Sequence, residues 1–557
     1  MLIDKIKIIN FKCFKNFELE LNENLNVIVG NNESGKSTIL EAFDLALTGM
    51  INGKSIYNDI NQYIFNNEVV SEYLSSIMKN NYIQLPSIEI EIYFKGNEYA
   101  SFEGTGNSDK QKRSGFCFKI EFDDFYNKEY EELLCKGEMK TLPIEYYDIT
   151  WETFAREKIT PRKIPIKSLI VDSSNSKYSN GSGMYISKII KKNLEKSDII
   201  GISQAHRRMK ESFMEDESIK LINSKIKDQS KLSDKSIELS VELPTKSSWE
   251  NSVVTQLDEI PFDYISKGEQ CIVKTELALS NVKDDKMKLV MIEEPENHLS
   301  FSNLNRLINR IKENYKDKQI IISTHSSFVS NKLGLDNLII LENLKKIKMN
   351  DLSKSTKRFF EKIPGYDTLR MILCKKAILV EGDADELVVQ KAYMMKNNNR
   401  LPIEDGIDVI SVGTSFLRFL EIADKLEKNT VVVTDNDGNY EAICKKYEKY
   451  LFENAKNYIK ICVDKQIDSG NFKVQDKGKE KDFNYNTLEP KLVKENGLEN
   501  MNKILNTKYK TEDELHRYMK NNKSECALKL FLYNEVSEGG QKVEIKFPKY
   551  IMEAIDE

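Results

Sequence analysis

Residues 30–37 read GNNESGKS, spaced as GxxxxGK[ST], after an apolar strand-like run from Asn26 to Val29 and before a helix-forming stretch from about Lys36 to Leu47. That combination binds phosphates. Gly30 and Gly35 let the backbone curl until its amides face phosphate oxygens, and the helix start adds partial positive charge. Lys36 is expected to reach the β- and γ-phosphates of ATP, and Ser37 to hold Mg2+. The expected nucleotide contacts are Gly30, Asn31, Asn32, Gly35, Lys36, Ser37 and Thr38. A second apolar run, KLVMI (288–292), ends in Glu293 and Glu294. Acid at a strand's C-terminal end suits Mg2+ at Glu293 and the polarising of an attacking water at Glu294. An acidic turn after a strand is the competing reading of this segment by itself.

Farther along, Ala377–Val380 runs into Glu381, Gly382 and Asp385, and Val431–Val433 runs into Asp435, Asn436 and Asp437. In a parallel sheet both strand ends face the same way, so Glu381 and Asp385 converge with Asp435 and Asp437. Four carboxylates repel one another unless cations sit among them. Oxygen-only donors suit Mg2+ or Mn2+. Ions held there would activate water. Either acidic motif alone also reads as a solvated turn.

Positioning these groups takes more than one sheet, and 557 residues exceed what a single core organises. Hydrophobic residues at 40% and charged residues at 31% exclude a disordered or membrane-embedded chain. The net charge of -5 gives no global positive field, so any DNA-binding surface must be local. Eight cysteines lie scattered, without a CxxC pair or a neighbouring histidine to complete a zinc site. With no signal-peptide pattern and no apolar run of bilayer length, the expectation is a cytoplasmic protein without a membrane partner.

Residues 50–175 mix strand signals, such as the alternating SIEIEIYF (87–94), with polar connections, and are chemically quiet. About 183–235 the chain turns helical and charged, which suggests an arm inserted into the first domain. QIIIS (319–323) and the helical stretch around 303–315 complete an α/β unit with KLVMI. The expected domains are residues 1–345, a Lys-rich linker over 346–370, and a second α/β series with terminal helices over 371–557.

Two further motifs carry a resemblance. SKGEQ (266–270) resembles the ABC signature, with Lys267 and Glu269 as departures, and QIIISTHSS places His325 where it resembles the switch histidine that contacts γ-phosphate. A lone histidine is more often structural, but this one has the strand context. Glu293 stands where the Walker B motif usually has Asp. With the opening INFKCFKNFELEL, this order resembles the ABC ATPase heads of the SMC, recombination-F and OLD (overcoming lysogenisation defect) groups over about residues 1–345. The resemblance implies that Ser266, with Gly268, acts on ATP held by a partner's P-loop, hence a homodimer or higher homo-oligomer.

A strand-end VEG followed by a hydrophobic run and DxD resembles the Toprim domain of topoisomerases, primases and OLD nucleases. An ABC head followed by Toprim resembles the OLD family specifically, including the nuclease subunit of Gabija-type phage defence. This implies an α/β fold in which an ABC-type ATPase head with an inserted helical dimerisation arm precedes a Toprim parallel sheet and C-terminal helices. It implies ATP with Mg2+, or Mn2+ at the nuclease site, DNA as substrate, a role in anti-phage defence, and room for a helicase or other defence-system partner. Two more residues follow from it: Glu489 as an additional metal carboxylate, and Lys523 as a stabiliser of developing phosphate charge, although Lys523 reads equally as a surface charge. The implied catalytic set is Glu294, His325, Glu381 and Lys523. The competing functions are a non-cleaving SMC- or recombination-F-like DNA repair ATPase and, behind it, a Toprim topoisomerase or primase.

Overall fold

The computed structural model describes residues 2–51, 53–79, 83–96, 99–136, 139–172, 196–229, 239, 256–279, 287–314, 318–342, 344–349, 352–362, 368–476, 479–533 and 543–556. The chain forms two compact units, Met1–His325 with Asn337–Lys346, and Ser326–Asp336 with Ile347–Glu557. No helix among the described residues is long and apolar enough to cross a membrane.

The first unit holds two sheets. Its strands are β1 (Leu2–Phe11), β2 (Phe14–Glu20), β3 (Leu25–Gly30), β4 (Ile88–Lys95), β5 (Arg113–Phe122), β6 (Tyr147–Thr153), β7 (Lys167–Asp172), β8 (Met287–Glu293), β9 (Gln319–Thr324), β10 (Leu338–Glu342) and β11 (Lys345–Lys348). One sheet runs β7-β8-β9-β3-β10-β11, and its first five strands are mutually parallel. Every residue of β3 and β9 is buried. That is why these runs are continuously apolar rather than alternating, since a parallel sheet is covered on both faces. The register aligns Glu293 with Ser323, Thr324 with Val29 and Leu341 with Gly30. The ends of β8, β9 and β3 therefore lie level at one sheet edge.

The other sheet is antiparallel, ordered β2-β1-β4-β5 with β6 on β5. The alternation in SIEIEIYF appears as β4, yet its polar phase is not solvated. Glu91 is 3% exposed, accepting bonds from the Ser108 amide and hydroxyl, each at 2.7 Å, and from the Tyr93 hydroxyl at 2.6 Å. Glu89 and Cys117 bring donor atoms within 4.8 Å of it and of each other. A buried carboxylate survives only with its oxygens bonded, and here the sheet's own loop supplies the donors. Apolar residues of both sheets pack into one core with α1 (Lys36–Thr48), including Phe14, Phe43, Phe118 and Trp151. Trp151 Nε1 donates to Ala46 O at 2.8 Å, tying β6 to α1. The core thus fixes the helix that follows the glycine loop.

Within the expected helical arm, α2 (Lys196–Glu215) and α3 (Glu217–Gln229) are present. Residues 183–195 and 230–235 of that expectation lie outside the described residues. Two more helices border the parallel sheet's sequence, α4 (Lys267–Leu279) and α5 (Phe301–Asn314).

The second unit has a four-stranded parallel sheet ordered β13-β12-β14-β15, formed by β12 (Lys376–Val380), β13 (Ile407–Ser411), β14 (Thr430–Val433) and β15 (Ile459–Cys462). Its helices are α6 (Ser327–Leu333), α7 (Lys354–Lys362), α8 (Thr368–Leu373), α9 (Asp383–Lys396), α10 (Phe416–Leu426), α11 (Leu488–Leu505), α12 (Glu512–Asn521), α13 (Lys523–Leu532) and α14 (Lys549–Asp556), with a short helix at Tyr440–Lys446. The stretch expected as a linker carries α7 and the start of α8. The Thr368 hydroxyl donates to Asn331 Oδ1 at 2.6 Å between two buried side chains, and Lys357 pairs with Asp336. These contacts place α6 in the second unit. Its core joins β12 and β14 to α9 and the terminal helices through Val380, Val388, Leu492, Met519 and Ile551.

Candidate functional site

In the first unit the strand edge built by β3, β8 and β9 gathers the phosphate-binding loop and its acids. Gly35 takes a φ of 95°, and a Cβ there would lie 2.4 Å from Phe14 Cζ. Both the turn and the packing require glycine. The buried Lys36 Nζ donates to Gly30 O and Asn31 O, each at 2.9 Å. Burial lowers its pKa, against the opposing charges of Glu294, Glu293 and Glu296. Ser37 Oγ bonds to Glu293 Oε1, and Thr38 Oγ1 accepts from Cys13 Sγ at 3.6 Å. Asn31 and Asn32 are exposed at the loop. Within the loop Ser34 Oγ is buried with no hydrogen-bond partner. An unpaired hydroxyl among curled amides is the donor a phosphate oxygen satisfies, so the residues fit a nucleotide.

Glu294 has its amide bonded to Ser323 O at 2.9 Å, accepts from Asn297 Nδ2 at 2.7 Å and lies 3.4 Å from His325 Nε2. Burial first and Lys36 second hold His325 below the usual histidine range, with Glu294 and Glu296 working against them. The sequence reading missed Glu296. Its Oε1 accepts from Thr324 Oγ1 at 2.7 Å and from the His325 amide at 2.9 Å, while Oε2 is buried without a partner. Its signal was its position in EEPENH, but only the pairing of β8 with β9 shows what it holds. Ser266 is exposed and donates to Glu269 Oε2 at 3.0 Å in its own turn. A Cβ on the buried Gly268 would lie 2.5 Å from His298 O. The start of α4 thus packs against the turn that follows Glu294.

In the second unit β12 and β14 are neighbours in register, Leu379 opposite Val432, so Glu381 emerges beside Thr434. The Thr434 hydroxyl donates to Glu381 Oε1 at 2.9 Å. Asp385 Oδ2 accepts the Gly382 amide at 3.0 Å across the first turn of α9. Asp435 Oδ2 accepts the Leu488 amide at 3.1 Å, and Oδ1 the Tyr550 hydroxyl at 3.4 Å. Glu489 is 7% exposed and pairs with Lys523 at 3.0 Å. Burial, then Glu381 and Glu489, pushes Asp385 up to about 6. Burial, then Asp385, Glu381 and Glu489, carries Asp435 well above the carboxylate range. Burial opposes the Lys523 charge, but Glu489, Asp435 and Asp385 outweigh it, and its pKa is raised. Glu381, Asp385, Asp435, Glu489 and Lys523 thus share one electrostatic site. Asp437 stands at its margin, exposed at a φ of 48° and bonded to Asn484 Nδ2 at 2.9 Å. Thr434 and Tyr550 were not singled out in the sequence, because nothing local marks a threonine or tyrosine that serves a distant carboxylate.

Comparison with known proteins agrees with this division. Residues 1–329 match the family model described as AAA ATPase domain, and residues 372–437 the model described as overcoming lysogenization defect protein-like, TOPRIM domain. The curated relatives include structural maintenance of chromosomes protein 6 of Saccharomyces cerevisiae, 56% identical over 45 residues, which is 8% of this chain and 4% of that protein. They include the DNA replication and repair protein RecF of Clostridium tetani, 31% identical over 75 residues, 14% of this chain and 20% of that protein. The DNA double-strand break repair Rad50 ATPase of Thermoplasma acidophilum is 37% identical over 73 residues, 13% of this chain and 8% of that protein. The chain therefore spans a fifth or less of each of these relatives. Similar solved structures include the SMC head domain from Thermotoga maritima, at 16% identity and a TM-score of 0.29 over 61% of this chain and 94% of that one. An SmcHead bound to the C-winged helix domain of ScpA matches at 18% identity and 0.34 over the same shares. With more than half of its length in the first match, the chain belongs to the AAA ATPase domain family and carries behind that domain an overcoming lysogenization defect protein-like TOPRIM domain, the order of an OLD-family ATPase–TOPRIM protein.

Proposed function

We propose that this chain is an ATP-binding and ATP-hydrolysing DNA endonuclease that uses Mg2+ or Mn2+. The coarser part, an ATPase coupled to nuclease-like DNA processing, follows from the two domains together. The observation that best supports cleavage is the setting of Asp435 among Asp385, Glu381 and Glu489, where burial and like charge raise both aspartates. Such a cluster is stable as carboxylates only with cations among them. Its all-oxygen donor set fits Mg2+ or Mn2+.

Glu381, Asp385 and Asp435 would hold these ions, with Asp437 and Glu489 beside them. When bound, the ions supply activation of water and neutralisation of the scissile phosphate. The chain's own residues do the positioning. Thr434 orients Glu381, the Leu488 amide orients Asp435, and the Lys523 ammonium stands beside Glu489 to take up charge that develops on phosphate. In the ATPase half, the loop from Gly30 to Thr38 would bind the nucleotide, Ser37 and Glu293 would hold its Mg2+, Glu294 would polarise the attacking water, and His325 would stand where it follows the γ-phosphate. Ser266 serves ATP bound by a second copy, which makes the working form a homodimer or larger assembly. Action in the cytoplasm against phage DNA, alongside a helicase or another defence protein, rests on the relation to the OLD family.

A second reading, a non-cleaving DNA repair ATPase, is favoured by the repair proteins RecF and Rad50 among the relatives of the first domain. One assay separates the two. Supercoiled plasmid is incubated with the wild type, Glu381→Ala and Lys36→Ala, with Mg2+ or Mn2+, across ATP concentrations. Glu381→Ala is expected to lose nicking while hydrolysing ATP, and Lys36→Ala to lose ATP hydrolysis. Undiminished nicking by Glu381→Ala would overturn the assignment of the metal site.

A further inference from the structure

In the helices that follow Glu489 along the chain, α12, its preceding loop and the residues that lead into α13 line an open groove of about 590 Å³. Its walls carry Lys508, Lys510 and Arg517 against the single acid Glu514, with Tyr509, Tyr518, Asn521 and Asn522 between them. The three cations are exposed. The Glu514 carboxylate accepts the Lys510 amide at 3.0 Å, so part of its charge is already engaged.

The groove is braced from behind. Asn502 clamps Tyr509 through both its amide and its carbonyl, at 3.0 Å and 2.9 Å. The Tyr509 and Tyr518 rings lie 5.3 Å apart at 38°, and Lys529 Nζ donates to the Tyr518 hydroxyl at 3.0 Å. Arg517 also lies over the Phe472 ring at 5.3 Å. Asn522, at the groove's end, directly precedes Lys523, which pairs with Glu489 in the acid cluster.

We propose that this groove binds the phosphate backbone of the DNA strand whose scissile bond is presented to the carboxylate cluster. The proposal rests on the nuclease reading for its purpose, but binding itself does not require cleavage. Cations on a rigid wall with aromatic faces between them are what a single strand uses, because phosphates need charge and any base has a π-face to stack. The site's own acids repel DNA. A cationic wall on the helix that leads into Lys523 offsets that repulsion locally, where the chain's net charge of -5 does not.

Anisotropy of a fluorescein-labelled 20-nucleotide single strand and of its duplex, with Ca2+ in place of Mg2+ and between 50 and 200 mM salt, tests this in the full chain. The triple variant Lys508→Gln, Lys510→Gln, Arg517→Gln is expected to bind the single strand at least about tenfold more weakly at low salt, with a log–log salt slope shallower by about 2. A control that removes equal charge elsewhere, Lys445→Gln, Lys446→Gln, Lys449→Gln, is expected to bind as the wild type does. Wild-type binding by the groove variant, or equal weakening in both triples, overturns the proposal. Single variants each lowering the slope by about 0.7 support it even where the triple melts early. A wild-type chain that binds through the groove yet nicks nothing would sink the nuclease reading and leave the groove standing.

Discussion

Glu294 occupies left-handed backbone at a φ of 43°, uncommon for a residue with a Cβ. Its amide bond to Ser323 and its carboxylate bond to Asn297 hold that conformation, and strain of this kind persists where surrounding bonds over-determine it. The result is a carboxylate aimed beside His325 at the end of the phosphate-loop sheet. Glu294→Gln keeps the shape and removes the charge proposed to polarise water. ATP retention on a filter is expected to stay near that of the wild type, while steady-state turnover falls by about 100-fold or more. A variant that hydrolyses at the wild-type rate would remove Glu294 from the chemistry.

At the scale of elements, the acid cluster depends on how β12, β13 and their helices are locked. Arg370 of α8 reaches Asp408 of β13 through Nε at 3.0 Å and Nη2 at 2.6 Å, and also bonds Val409 O at 3.1 Å. Glu386 of α9 lies 3.6 Å away. Burial raises the Glu386 pKa, and Arg370 is what opposes the rise. Arg370→Met leaves the 7% exposed Asp408 without its fork partner. Charged hydrogen bonds of this kind contribute about 2–3 kcal/mol, so the second unit is expected to melt earlier by that amount in denaturant titration. ATP hydrolysis, which uses residues of the other unit, is expected to persist. Unchanged melting would show that α8 is held by its apolar contacts alone.

At the scale of the whole molecule, the proposed function requires the signature serine of one copy to meet the phosphate loop of another. Ser266 is exposed, and its hydroxyl bonds within its own turn to Glu269, so a second chain has access to it. Mixing Lys36→Ala protein with Ser266→Arg protein, each inactive alone, makes heterodimers in which one of the two composite sites is intact. Random pairing puts such heterodimers at half the population, so hydrolysis is expected to recover to about a quarter of the wild-type rate. A mixture no more active than its components would argue that each copy completes its own site.

Much of this was legible in the chain because the features concerned are local. The loop GNNESGKS needs only its own glycines and the strand before it, and the apolar runs that became β3, β8, β9, β12 and β14 declare a covered parallel sheet by composition alone. Their ends named Lys36, Ser37, Glu293, Glu294, Glu381 and Asp435 without coordinates. Tertiary structure decided what depends on distance in space. It brought the Lys523 ammonium within 3.0 Å of Glu489, gave Thr434 to Glu381 and Tyr550 to Asp435, and turned Glu91 of an alternating strand inward. It also assigned α6 to the second unit through Asn331 and Thr368, where apolar patterning had drawn one boundary near 345. Backbone periodicity and glycine geometry are written between adjacent residues, whereas hydrogen bonds and carboxylate repulsion act only across a few ångströms and await the fold that closes them.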